Sequence, residues 1–403
     1  MLYPAELRGR NPTIFAWMIH SRRIHVLHAS MAHRGCACAA KEVWMGRRVL
    51  YGIYHWGLGH ATRSLGLIQA LLARGDAVTV VIAPGAGMRL LQSELGDACE
   101  FFPFADTPAP FSRYPAIFYL RMTAAMPWVL AGYRREHRLA ERLVAERHFD
   151  CVVSDSRFGL WSRAAPSYCI FHSIHQVVPF FSSFTQRFTE WGQRDLLKGY
   201  TKILIPDVAE NGGLSGWLGH DPDFDWGEGR LVYIGPLSSV GRMNVEQDID
   251  VFFSVSGIEP QRGLLEQLAL ESLPKLSGRI VVTLGKPGEG SEPRTVAGAT
   301  VFNYLDRGRQ AEMLNRAKLV MTRSGYTTLM ELAGLGRKAL FVATPGQSEQ
   351  EYLARFHRDK GHVWSEEQKH LDIPRDIERA RAASGIPRLD TDASVGRFLA
   401  AIA

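Results

Sequence analysis

Four short segments of this chain place reactive side chains directly behind apolar, β-branched runs. The first is Gly57-Leu58-Gly59-His60-Ala61-Thr62-Arg63-Ser64, behind residues 49–54. Gly57 and Gly59 let the backbone approach a ligand closely. Leu65, Ile68, Leu71 and Leu72 then recur at helical spacing, so this turn opens a helix whose free N–H groups suit an anion. His60 titrates near neutrality and is suited to take a proton from an acceptor hydroxyl, with Thr62 a further substrate contact. The structural alternative is a tight turn whose histidine only caps the helix. The segment lacks the third glycine and later acidic residue of a dinucleotide fingerprint.

The second segment is Ser154-Asp155-Ser156-Arg157. Asp155 is read as orienting His60 or binding a sugar hydroxyl, the alternative being a helix N-cap. Arg157 joins the substrate-binding candidates. His172 and His175 follow the next strand, and one of them is expected to face a cleft while the other is structural.

The third segment is Arg323-Ser324-Gly325-Tyr326-Thr327-Thr328-Leu329-Met330-Glu331. Small residues at a strand-to-helix turn suit a diphosphate. Glu331 lies among apolar residues, where a carboxylate is costly unless hydrogen-bonded, and a pair of ribose hydroxyls would satisfy it. The fourth segment runs from Thr344 through Gln347 to Gln350 and Glu351, offering amide and carboxylate groups to sugar hydroxyls.

The elements that must position these residues are legible as an alternation. Strands are expected at 49–54, 77–83, 151–154, 168–171, 200–205 and 231–234, with helices between. Gly235-Pro236 reads as a linker. The theme then restarts with strands at 250–256, 279–284, 300–303, 319–322 and 338–343, and a helical tail without further strands. Such alternation implies parallel sheets with crossover helices. Ligands of open parallel sheets bind beyond the carboxyl ends of the strands, which is where all four segments fall.

The 403 residues suit two domains, and 46% hydrophobic with 22% charged residues is ordinary globular composition. The net charge is +6, and residues 1–44 carry six basic against two acidic residues. No dense basic run with interleaved aromatics stands out, so no nucleic-acid partner is expected. Residues 1–46 show no clear period and read as a poorly ordered extension ahead of a domain starting near Met45. The rival reading is a targeting or membrane-surface segment. Cys36, Cys38, Cys99, Cys151 and Cys169 are odd in number and scattered, which suits a reducing cytoplasm. No apolar run reaches membrane-spanning length.

Taken together, residues 323–351 strongly resemble the donor-binding region of glycosyltransferase family 28. That resemblance implies the GT-B fold, an α/β architecture of two Rossmann-like domains facing a cleft. It divides the chain into an acceptor-side domain at 47–235 and a nucleotide-sugar domain at 236–403. It assigns the uridine ribose to Glu331 and the donor sugar to Gln350 and Glu351, the second position departing from the family's Gln-Gln pair. It places Gly257, Gly285 and Tyr304 with Arg323, Ser324, Gly325, Thr327, Thr344 and Gln347 around the donor. The turn from Gly57 to His60 matches the family's acceptor-side loop. Implied is an inverting, metal-independent transfer of a hexose or N-acetylhexosamine from a UDP-sugar, with no further cofactor. Aromatic and basic residues at 108–134 and the run 177–184 suit docking on a membrane to reach a lipid-linked acceptor, and ordinary packing explains them equally. A UDP-sugar hydrolase, an epimerase, or a non-catalytic sugar-nucleotide-binding subunit shares these features.

Overall fold

The computed structural model describes residues 46–54, 58–105, 115–177, 183–257, 259–286, 290 and 292–403, with the side chains of 115–123 and 183–186 outside that description. Gly57, the extension at 1–45, residues 106–114 and most of the run 177–184 therefore lie outside the described residues.

The first half is a seven-stranded sheet in the order β3-β2-β1-β4-β5-β6-β7. Its strands are β1 (Arg48–Ile53), β2 (Ala77–Ile82), β3 (Glu100–Pro103), β4 (Cys151–Asp155), β5 (Ser167–Ile170), β6 (Lys202–Ile205) and β7 (Leu231–Tyr233). All are paired in parallel. The inner strands are buried on both faces, which is why they read as continuous apolar runs. The second half repeats the winding with β8 (Val251–Ser254), β9 (Ile280–Thr283), β11 (Ala299–Phe302), β12 (Leu319–Thr322), β13 (Lys338–Phe341) and β14 (Trp364–Ser365). Its order is β10-β11-β9-β8-β12-β13-β14, where β10 (Arg294–Val296) forms an antiparallel hairpin with β11. This is the doubly wound fold expected.

The tail contradicts one expectation. It contains β14, a two-residue strand too short for an apolar run to announce it. The edge strand β3 likewise carries only partly buried residues and no alternation strong enough to read.

Two helices start at the strand ends that matter. α1 (Gly59–Ala73) follows β1 and buries Ala61, Leu65, Ile68 and Leu71 against the sheet. Full burial of such aliphatic side chains stabilises by about 1.5–3 kcal/mol each. α7 (Tyr326–Leu335) follows β12, buries Leu329, Met330, Leu332 and Ala333, and ends at Gly336 in the left-handed conformation. The C-terminal helix α10 (Asp392–Ala401) returns to the first half. Arg397 Nε donates to the Ile234 carbonyl at 3.0 Å, and Lys202 Nζ to that of Ala401 at 2.8 Å. Gly235, at φ +81°, makes that approach possible, since a Cβ there would stand 2.1 Å from the Arg397 guanidinium.

Candidate active site

In each sheet the winding reverses beside its first strand, between β1 and β4 and between β8 and β12. Such switch points open a crevice at the strand carboxyl ends. Ile53 pairs with Asp155 across the first reversal, and Ser254 with Thr322 across the second. Three of the four reactive segments, those around His60, Asp155 and Ser324, flank these two points.

At the first, Asp155 is fully buried at the end of β4. His60 Nδ1 lies 2.9 Å from its Oδ1. Arg63 Nε donates to Oδ2 at 2.8 Å, Arg63 Nη2 donates to Oδ1, and the Ser64 hydroxyl donates to Oδ2 at 2.9 Å. Burial alone would push the Asp155 carboxyl up, but Arg63 and His60 outweigh it and hold the group well below the usual carboxylate range. Arg63 Nη2 also lies 2.9 Å from His60 Nδ1. Beside an ionised Asp155 that nitrogen carries a proton and donates it to the carboxylate, leaving the lone pair on Nε2. Burial and the Arg63 charge depress the His60 pKa below 6.5, with Asp155 opposing. The imidazole keeps 19% of its surface exposed, so it can meet a substrate. The arrangement is an oriented neutral imidazole able to accept a proton.

Arg63 and Ser64 were missed by sequence reasoning. The signal was their spacing: three and four residues after His60 on one helix, they share its face.

Facing this dyad is the N-terminus of α7. Its N-cap Gly325 offers no side-chain hydrogen bond, so the first-turn N–H groups remain for an anion. The two helix starts are close: a Cβ on Gly59 would stand 2.8 Å from Thr327 Oγ1. The Thr62 hydroxyl donates to the Gly59 carbonyl at 3.0 Å and closes the turn. Ser324 Oγ donates to the Gln350 carbonyl at 2.7 Å. The Gln350 side chain accepts from the Thr344 N–H at 2.9 Å and donates to Gln347. Glu351 is exposed and accepts from the Gly346 N–H at 2.9 Å. These contacts rigidify the fourth segment at the N-terminus of α8 (Ser348–Asp359).

Glu331 is half-buried on α7 and accepts from the Ser239 hydroxyl at 3.1 Å. Burial pushes its carboxyl up to about 7, with Ser239 pulling the other way. Gly257 and Gly285 hold positive φ, and Gly285 passes so near β8 that a Cβ would stand 2.5 Å from the Val255 carbonyl. Tyr304 is half-buried in the segment after β11.

The two histidines after β5 part company. His172 stacks face to face on Tyr326 at 4.1 Å, and its Nε2 lies 3.2 Å from Glu349 Oε1. Glu349, another residue sequence reasoning missed, is held below the usual carboxylate range: burial raises it, and His172 and then His60 and Arg63 lower it more. His175 is fully buried and stacks on Trp217 at 4.2 Å.

Two expected ligand contacts are overturned. Arg157 is 1% exposed, donates to Glu136 Oε1 at 3.0 Å and to the Phe104 carbonyl at 3.2 Å, and lies over the Phe104 ring. Its guanidinium ties the loop after β4 to α3 (Pro115–Arg147) and faces no cleft. Arg323 is 2% exposed and donates to the carbonyls of Val342 and Ala343 at 3.0 Å and of Gln261 at 2.7 Å. Burial pushes its pKa down to about 10. It braces the ends of β12 and β13 instead of contacting a donor.

Asp248 and Asp250, an alternating acidic pair of the second half, stand before β8 at the opposite end of the sheet. Arg316 donates to Asp248 and Lys318 to Asp250, each at 2.8 Å. Asp221, Asp223 and Asp225 lie in the loop before β7, and all three are exposed.

Residues 263–383, which include α7 and α8, match the glycosyltransferase family 28 C-terminal domain. No curated protein matches the chain. Among solved structures, CalG4, the calicheamicin glycosyltransferase, superposes with a TM-score of 0.53 at 18% identity, over 88% of this chain and 94% of that one. MurG of Acinetobacter baumannii gives 0.50 at 12% identity, over 87% and 94%. Arabidopsis thaliana UGT89C1, solved with UDP-L-rhamnose, gives 0.54 at 15% identity, over 88% and 93%. At such identities these likenesses establish the two-domain GT-B architecture, and the family 28 domain supplies the chemistry's class. The chain thus has the GT-B fold and carries, over residues 263–383, a match to the glycosyltransferase family 28 C-terminal domain.

Proposed function

We propose that the chain transfers a hexose or N-acetylhexosamine from a UDP-sugar to a hydroxyl acceptor with inversion at the anomeric carbon. The observation that carries this reading is the His60–Asp155 dyad facing the uncapped start of α7 across the two switch points.

His60 Nε2 takes the acceptor proton as the acceptor oxygen bonds to the anomeric carbon. The bond from that carbon to the diphosphate oxygen breaks, and UDP leaves. The imidazolium so formed is stabilised by Asp155, whose own charge is held by Arg63 and Ser64. N–H groups at the start of α7 meet the charge growing on the diphosphate. Attack from the acceptor side on a donor held by the other domain gives inversion. Glu331 binds the ribose hydroxyls, and Gln350 and Glu351 the donor sugar. The helix dipole and N–H groups supply the stabilisation that a metal gives elsewhere.

The acceptor is proposed to be lipid-linked and reached at a membrane surface. Met126, Trp128 and Leu130 stand exposed on α3 beside Arg134 and Arg135, and Trp128 is 79% exposed. Apolar side chains with flanking cations favour an anionic interface. None of the described helices is long and apolar enough to cross a membrane.

Calorimetric titration with UDP, GDP and ADP, on wild type and Glu331→Ala, tests the donor assignment. Selective UDP binding that the substitution abolishes supports it. Equal binding of all three, or indifference to Glu331, removes it.

A further inference from the structure

We propose that His175, Glu190 and Asp223 form a binding site for one first-row divalent cation, with Zn²⁺ the ion the donor set suits best. The site lies apart from the sugar-transfer residues and does not rest on the reading of donor or acceptor.

His175 Nε2 lies 2.9 Å from the His220 carbonyl oxygen and 3.2 Å from that of Asp221. Both oxygens only accept, so Nε2 carries a hydrogen. In the neutral ring the lone pair is then on Nδ1. That nitrogen is fully buried, accepts no hydrogen bond, and lies 3.5 Å from Glu190 Oε2. A lone pair aimed at a buried carboxylate oxygen is repulsive until a proton or a metal cation stands between them.

Glu190 is itself fully buried and rigidly aimed. Its Oε1 accepts from Phe224 N–H at 3.1 Å and from the Trp226 indole at 3.0 Å, and its Oε2 from Asp223 N–H at 2.9 Å. One lone pair of Oε2 remains, on the His175 side. Ligating atoms of His175, Glu190 and Asp223 all lie within 4.8 Å of one another. Ligands on a common Zn²⁺ at about 2.0–2.2 Å are separated by roughly 3–4 Å. Rotation of the exposed Asp223 side chain closes the remaining gap.

The surroundings match what metal-bound imidazoles have elsewhere. The second ring nitrogen donates to a backbone carbonyl, which fixes the tautomer and the ring plane. Trp217 covers one face of the ring. Imidazole with two carboxylates suits Zn²⁺, Mn²⁺ and Fe²⁺ more than Mg²⁺ or Ca²⁺. An exposed third ligand leaves the ion a route from solvent. Such an ion would fasten the segment after β5, which carries His172, to α4 (Ser183–Leu196) and to the loop before β7.

The test uses the full chain, stripped with a chelator that is then removed, and titrated with ZnCl₂ against a chromophoric competitor. Wild type is expected to take up one equivalent more than Asp223→Asn, or to bind it at least tenfold more tightly, with a higher Tm in Zn²⁺ that the variant does not show. Because the five cysteines also take up zinc, the difference between the two proteins is the readout. His175→Gln is expected to lose the same equivalent. Asp223 is exposed, so its variant folds even where the buried substitution does not. Equal uptake and affinity in wild type and Asp223→Asn, or no uptake by wild type, overturns the proposal. UDP titration of the same samples is independent of either result.

Discussion

His60 Nδ1 and Asp155 Oδ1 lie 2.9 Å apart although 95 residues separate them, because β1 and β4 are neighbours at the first switch point. His60→Ala therefore removes the proton acceptor while leaving the donor side intact. The expected loss in kcat is about 10²- to 10⁴-fold. UDP affinity stays within twofold. Kinetics with any productive acceptor, beside UDP titration, checks the pair; an active His60→Ala enzyme sinks the assignment.

The pH dependence has a definite direction. Burial and Arg63 depress the His60 pKa, so the neutral base persists below pH 6.5. The acid limb of kcat/KM is expected to have its midpoint under 6.5. A midpoint at or above that value contradicts the burial argument.

Asp155 carries the complementary stability prediction. Its folded-state pKa is depressed below the unfolded value of 3.8. Its contribution is thus fully present above about pH 4 and is lost as pH falls towards the folded pKa. Asp155→Asn strands the buried Arg63 charge and is expected to cost roughly 3–5 kcal/mol at pH 7. Denaturant unfolding of the variant at pH 7 measures it, and a cost under 1 kcal/mol contradicts the pair.

Glu331 behaves oppositely. Its folded pKa rises from 4.5 to about 7, so the folded state favours the protonated form. Its contribution to stability without ligand is fully present below pH 4.5 and is lost as pH rises through 7. Glu331→Gln should therefore stabilise the free protein at pH 8, by at most ~3 kcal/mol, while weakening UDP. Thermal melts at pH 5 and pH 8 decide it; equal effects at both refute the burial argument.

Arg157→Ala should unfold the protein before it touches chemistry. Removing one member of the buried ion pair with Glu136 costs about 3–5 kcal/mol. Per folded molecule, turnover stays within a few-fold. A stable Arg157→Ala protein with a raised KM would return Arg157 to the substrate site.

By itself the sequence determined the two doubly wound sheets, because inner parallel strands are buried on both faces and must read as apolar runs. It also located His60, Asp155 and Ser324 at or just behind the strand ends, and Glu331 on the helix that follows, where polar residues behind such runs have few other reasons to cluster. The short edge strands β3, β10 and β14 were invisible, since an edge strand needs no continuous apolar face. What only the tertiary structure decided was which charged groups turn inward. Arg157 and Arg323 look like ligand-binding arginines in sequence, but carbonyl and carboxylate partners wait for them beneath the loops. Arg63 and Glu349 look incidental, yet the adjacency of β1 with β4 brings Arg63 to the dyad, and the start of α8 brings Glu349 to His172. A side chain's direction is set by partners far away along the chain, and local spacing carries no record of them.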